Sequence, residues 1–201
     1  MSKQLPGVED RSARKVSRRE LGRTLLSGLA AGALLPAFSP LHPVYDHLLN
    51  GELLDFTDTA LASGKHTPAF LSESQFLSLE KIAEAIVPGS SKAQSAAFID
   101  LLLSVDSASS QQEFKDSLGA FAAAAEQRFH NNIVGLSGAQ LNELLQAASK
   151  RDPGNYAHFE NLKAWTVGAY YSSETGMREL GWTPDRVFSG FPACTQAESH
   201  S

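Results

Sequence analysis

The chain has 201 residues, 42% of them hydrophobic, which is enough for one packed domain with a terminal extension and excludes global disorder. Its net charge of −5 hides an asymmetry: residues 1–39 hold seven basic and three acidic groups, and the other 162 hold ten basic and nineteen acidic. An acidic body of net −9 argues against nucleic acid as a partner, because phosphate contacts need clustered Lys and Arg.

The first distinctive stretch is "SRRELGRTLLSGLAAGALLP", residues 17–36. From Thr24 to Leu35 it carries no charge. Twelve residues make only about 18 Å of helix against a hydrocarbon core of about 30 Å, so a membrane span is excluded. A basic segment ahead of a short apolar run is the pattern of an export signal. The pair Arg18-Arg19, with Ser17 before it and Leu21 after it, resembles the twin-arginine signal. Gly22 departs from that pattern, which usually has a bulky apolar residue there. Ala37 and Ser39 are small enough for a cleavage site, but Pro40 follows and hinders cutting. The competing reading is an ordinary amphipathic helix with two surface arginines.

Residues 40–70 mix Pro, His, Gly and short apolar pairs and predict a connector with one or two short helices. From Leu71 the helical signals strengthen. Ser72 with Gln75 forms a capping-box pattern, and Phe76, Leu79, Ile82, Ala83, Ile86 and Val87 then recur at helical spacing until Pro88-Gly89. A second helix is predicted from about Lys92 to Val105, with a broad apolar face that implies deep burial. A third is predicted from about Gln111 to Phe129, where Ala122 to Ala125 would let a neighbouring helix approach closely. Ser137 and Gln140 repeat the capping-box pattern ahead of Leu141, Leu144 and Leu145. Asp152-Pro153 reads as an N-cap and first helical position for a last long helix, carrying Tyr156, Phe159, Leu162, Thr166 and Tyr170. After Gly176 the chain reads as irregular. No strand alternation stands out. The expected fold is all-α: a compact multi-helix domain over 71–201 with an irregular aromatic C-terminal tail, behind a 1–39 signal and a 40–70 connector.

The catalytic patterns are thin. The sequence has no GxGxxG, P-loop, CxxC or nucleophile elbow. Glu126 and His130 stand one turn apart, once, and read as a solvated pair at a helix end. His42, Asp46 and His47 are close in sequence, yet five-residue spacing does not put the two histidines on one helical face. Catalytic, cofactor and metal residues are therefore expected to be none. Cys194 is the sole cysteine; in an exported chain an odd cysteine raises intermolecular pairing. Both tryptophans and two of the four tyrosines fall within Trp165–Trp182. Aromatics of this kind either pack the inside of the last helix or carry interface energy. Trp165 is expected in the core. Trp182, Phe188 and Phe191 either clamp back over the domain or dock onto another chain. The expected partner interface is Tyr170, Tyr171, Trp182, Phe188 and Phe191.

The blocks "LEKIAEAIVPG", "FIDLLLS", "LSGAQLNELLQAAS" and "FENLKAWTVGAYYSSETGMRELGW", behind a twin-arginine-like signal, resemble the gluconate 2-dehydrogenase subunit 3 family. The likeness covers about residues 71–192. The resemblance implies the gamma subunit of a membrane-associated FAD-dependent sugar or polyol dehydrogenase. It implies a large partner subunit that binds FAD and oxidises the substrate, and in some complexes a cytochrome c subunit that accepts electrons. The gamma subunit itself carries no recognised redox site; it assists maturation of the large subunit and brings it, folded, through the twin-arginine translocase. Arg18, Arg19 and Leu21 would carry the export signal, and Cys194 would pair with a partner cysteine. The expected location is the periplasm, in solution or held at the membrane through the complex or an uncleaved signal. The alternative is a stand-alone exported helical enzyme or binding protein.

Overall fold

A computed structural model of the chain describes residues 44, 47, 50–62, 64, 66–150 and 154–181. Among them are seven α-helices, one 3-10 turn and no strand, as the composition implies. No described helix is long and apolar enough to cross a membrane.

Helix α1 spans Gly51–Ala62. Asn50 starts it by accepting from the Leu53 amide at 3.1 Å. Leu54, Thr57 and Leu61 share one face and are buried against the third helix. The expected connector thus contributes a core element. Helix α2, Glu73–Ile86, begins at the predicted capping box, with Ser72 and Gln75 bonded reciprocally, and it buries Phe76, Leu79, Ile82 and Ala83.

Helix α3 spans Ser95–Ser104 and starts three residues later than expected, because residues 90–94 form a tight turn ending at Gln94 in the left-handed conformation (φ 53°). Every residue from Ser95 to Leu103 is buried, in accord with its broad apolar face. Helix α4, Ala108–Phe129, starts earlier than expected because Ser107 caps it, accepting from the Ser110 amide. It buries Phe114, Ser117, Leu118, Phe121 and Ala125. Ala122 and Ala123 face solvent, so the close approach expected of that alanine run is made by Ala125, with Ala124 packed partly buried beside it.

A 3-10 turn at Ile133–Gly135 follows, capped by Asn132. Lys81 of α2 reaches across to donate to the carbonyls of Val134 and Leu136. Helix α5, Gly138–Ser149, carries the second predicted capping box, Ser137 with Gln140. Helix α6 spans Tyr156–Tyr171 with Asn155 as its N-cap; the expected Asp152-Pro153 start lies outside the described residues. A short helix α7, Glu174–Glu179, extends regular structure past Gly176, where irregular chain was expected. Ser173 makes this possible by accepting from the Gly176 amide at 3.1 Å.

Helix α6 is the centre of the domain. Helices α2, α3, α4, α5 and α7 all pack on it. A helix surrounded in this way needs apolar or small residues on most sides. Leu162, Trp165, Gly168, Ala169 and Tyr170 supply them. Trp165 is 1% exposed and meets Phe114 edge-on, with ring centroids 5.7 Å apart. Burying a side chain of Leu or Phe size contributes about 1.5–3 kcal/mol, so this one helix organises most of the favourable burial.

Candidate functional site

The α2–α3 turn is a piece of partly exposed backbone braced by side chains. Pro88 ends α2, and Gly89 takes a φ of +95° that strains any other residue. The Glu84 carboxylate accepts from the Gly89 amide with one oxygen and the Ser91 amide with the other, both at 2.8 Å. These two backbone bonds, Gly89 first, hold the Glu84 carboxyl below its usual range of about 4.5. Ser90, itself 1% exposed, ties its hydroxyl to the Val87 carbonyl at 2.6 Å.

Beneath this turn lies Tyr170. A Cβ on Gly89 would come within 3.2 Å of the Tyr170 hydroxyl oxygen, a tight contact on a backbone whose positive φ already favours glycine. The "VPG" turn and the "YYSS" block, 81 residues apart from Gly89 to Tyr170, therefore meet in space. Tyr170 is 0% exposed, which corrects its expected place on a partner surface: its position on α6 points it inward against α2. Among the described residues its hydroxyl makes no hydrogen bond of normal geometry, and the nearest acceptor is the Glu179 carboxylate. Burial first, then the nearby Glu179 carboxylate, pushes its pKa up to about 12. A raised phenol pKa means that the folded state holds its proton more tightly than the unfolded chain. Stability from this group is complete below pH 10.0 and falls as pH rises toward 12. Tyr170→Phe should remove that alkaline decline and leave neutral-pH stability unchanged or raised by up to about 1 kcal/mol, since an orphan hydroxyl is lost. Thermal melts at pH 9 to 11 check this.

Tyr171, one residue on, is partly exposed and stacks edge-on to Tyr170 at 5.1 Å. It remains available to a partner. Leu180 just beyond is 66% exposed. Trp182, Phe188, Phe191 and Cys194, like Arg18, Arg19 and Leu21, lie outside the described residues.

A second polar centre was missed at the sequence level. Asp100 sits in the middle of the apolar helix α3 and is 0% exposed. Its carboxylate accepts from the amides of Ala69 (2.6 Å), Phe70 (3.1 Å) and Leu71 (2.8 Å) and from His66 Nε2 (2.9 Å). Four bonds compensate the buried charge. They also fasten the strap before α2 onto α3. The signal was a lone carboxylate inside "FIDLLLS", a run read only for its apolar face. His47 makes a similar tie to Asp106, at 3.3 Å.

The other polar clusters are also engaged with the fold. Glu126 and His130 are both exposed at the end of α4, as expected. Ser117 lies 3.2 Å from His158 Nδ1, but its hydroxyl donates to the Glu113 carbonyl at 2.9 Å, so its proton is held by backbone. Among the described residues no group of three or more His, Cys, Asp or Glu is placed to hold a metal.

These features define an all-α domain whose polar residues chiefly brace its own turns and straps, with the braced turn and the end of α6 forming one surface region. A family model for gluconate 2-dehydrogenase subunit 3 matches residues 73–187, more than half of the chain. The chain belongs to that family, and so to a class of subunits of dehydrogenase complexes. No curated protein and no solved structure matches it.

Proposed function

We propose that the chain is the non-catalytic accessory subunit of a periplasmic FAD-dependent sugar or alcohol dehydrogenase. It assists maturation of the large flavin subunit and carries that folded subunit through the twin-arginine translocase. The family match over residues 73–187 supports the subunit role. The Ser17-Arg18-Arg19-x-Leu21 pattern ahead of an uncharged run supports the export role. A flavin chain that loads its cofactor before crossing needs a route for folded cargo, and the label on this chain would supply it. FAD belongs to the partner in this reading, and a cytochrome c subunit is a further partner. Tyr171 with Trp182, Phe188 and Phe191 forms the contact surface, and Cys194 pairs with a cysteine of the partner.

Co-expression of a tagged copy with the flavin chain of the complex tests the assembly. The expected result is a yellow protein co-purifying from the periplasm. Arg18→Lys together with Arg19→Lys should strand both chains in the cytoplasm. Export of the flavin chain alongside that double variant would defeat shared export.

A further inference from the structure

We propose that the cleft at the N-terminus of α3 is a receptor for an uncharged primary amide. The cleft lies between α2, the α2–α3 turn and the start of α3, and has a volume of about 200 Å³. Phe76 and Glu80 line it from α2, and Gln94, Ser95, Ala96 and Ala97 line it from the start of α3.

The start of a helix leaves its first amides without internal partners, and a side chain normally caps them. Here the N-cap is Gln94, whose backbone is left-handed (φ 53°, ψ 36°) and whose side chain makes no cap bond. The Ser95 amide donates to the Ser90 carbonyl, and the Phe98 amide to the Gln94 carbonyl. The amides of Ala96 and Ala97 find no acceptor among the described residues, although each residue is only 5% exposed. A second, independent sign is Ser95: it is 0% exposed, it lines the cleft, and its hydroxyl has no partner among the described residues. Buried polar groups are normally paired. Three donors in one turn therefore call for an acceptor oxygen.

Glu80 decides what carries that oxygen. It lines the same cleft, is partly buried, and pairs with no cation among the described residues. His66, also on the wall, is committed through Nε2 to Asp100 at 2.9 Å. A helix end carries only about half an elementary charge, whereas an ionised carboxylate carries a full one. An anion is therefore repelled on balance, and a simple cation brings no acceptor for the helix amides. A primary amide meets both needs: its oxygen accepts from the helix end, and its NH₂ group donates to Glu80. The volume is below the range of about 300–1,000 Å³ of drug-sized sites, which limits the ligand to a group the size of an Asn or Gln side chain.

Acetamide, acetate and acetone share one shape and differ in their polar groups. Each is titrated into the full chain while the Ala96 and Ala97 amide signals are followed by ¹H–¹⁵N NMR. Acetamide should shift both signals saturably. Acetate and acetone, with no hydrogen to give Glu80, should each bind about tenfold more weakly. Ser95→Ala should weaken acetamide about tenfold. Glu80→Gln should close the gap between acetamide and acetate, and it carries the test if Ser95→Ala melts early. N-acetylglutamine methylamide and free glutamine then separate two sources. Tighter binding of the blocked form assigns the site to a side chain presented by another protein, and tighter binding of the free form assigns it to a free amino-acid amide; both support an amide receptor. No saturable shift with acetamide would mean that water alone serves these donors and would overturn the proposal. Equal binding of acetamide and acetate, or of acetamide and acetone, would overturn it as well, as would an unchanged gap in Glu80→Gln. The chain is titrated alone, so the result is independent of whether a flavin chain co-purifies.

Discussion

Asp100→Ala should destabilise the domain by about 3–5 kcal/mol, a large part of the about 5–15 kcal/mol that holds an ordinary domain together. The substitution strips the acceptor from the amides of Ala69, Phe70 and buried Leu71 and from His66 in one step. Each abandoned donor loses its water and its partner together. Asp100→Asn should fall between, because one carbonyl oxygen remains while the new amide group faces donors. Urea unfolding gives the size of the effect. Hydrogen exchange at Ala69, Phe70 and Leu71 gives its location, since these amides should lose protection first. A variant within about 1 kcal/mol of the parent would show that the strap is held by its apolar residues alone.

Gly176→Ala should cost about 1–3 kcal/mol and act locally on α7. A methyl group at this position would clash with the Tyr170 carbonyl oxygen and sit 2.9 Å from the Tyr171 Cα. Both are backbone atoms at the end of α6, so no side chain can swing aside. Helix α7 must lift instead. That movement should uncover Tyr170, and its phenol should titrate closer to 10.0 than to about 12. Ultraviolet titration of the tyrosines reads this directly. Gly119→Ala is the control: it lies exposed on α4 with nothing within 4 Å of the added methyl, and it should stabilise by about 0.5–1 kcal/mol. An unchanged Tyr170 titration in Gly176→Ala would refute the coupling between α7 and the buried ring.

The local grammar of this chain was readable. Ser72 with Gln75 and Ser137 with Gln140 are capping boxes in the sequence and in the structure, because a cap depends on residues only three apart. The apolar faces of α2 and α3 were readable for the same reason. What escaped depends on distant partners. Asp100 gains its role from amides about 30 residues earlier. Tyr170 looks like an interface aromatic until the turn at Gly89 is laid over it. The late start of α3 comes from a chain reversal at Gln94, a residue type with no strong preference for the left-handed region.

The central place of α6 has a consequence for the order in which the domain can form. Its residues are 156–171, near the end of the described chain, yet the helices made before it lean on it. During synthesis α2 through α5 emerge with their apolar faces lacking their shared neighbour. Closure waits until residue 171 has cleared the ribosome, when contacts of long sequence separation form together. A chain cut short ahead of Tyr156 would therefore be a set of sticky helices rather than a smaller domain, and whatever first meets the nascent chain meets it open.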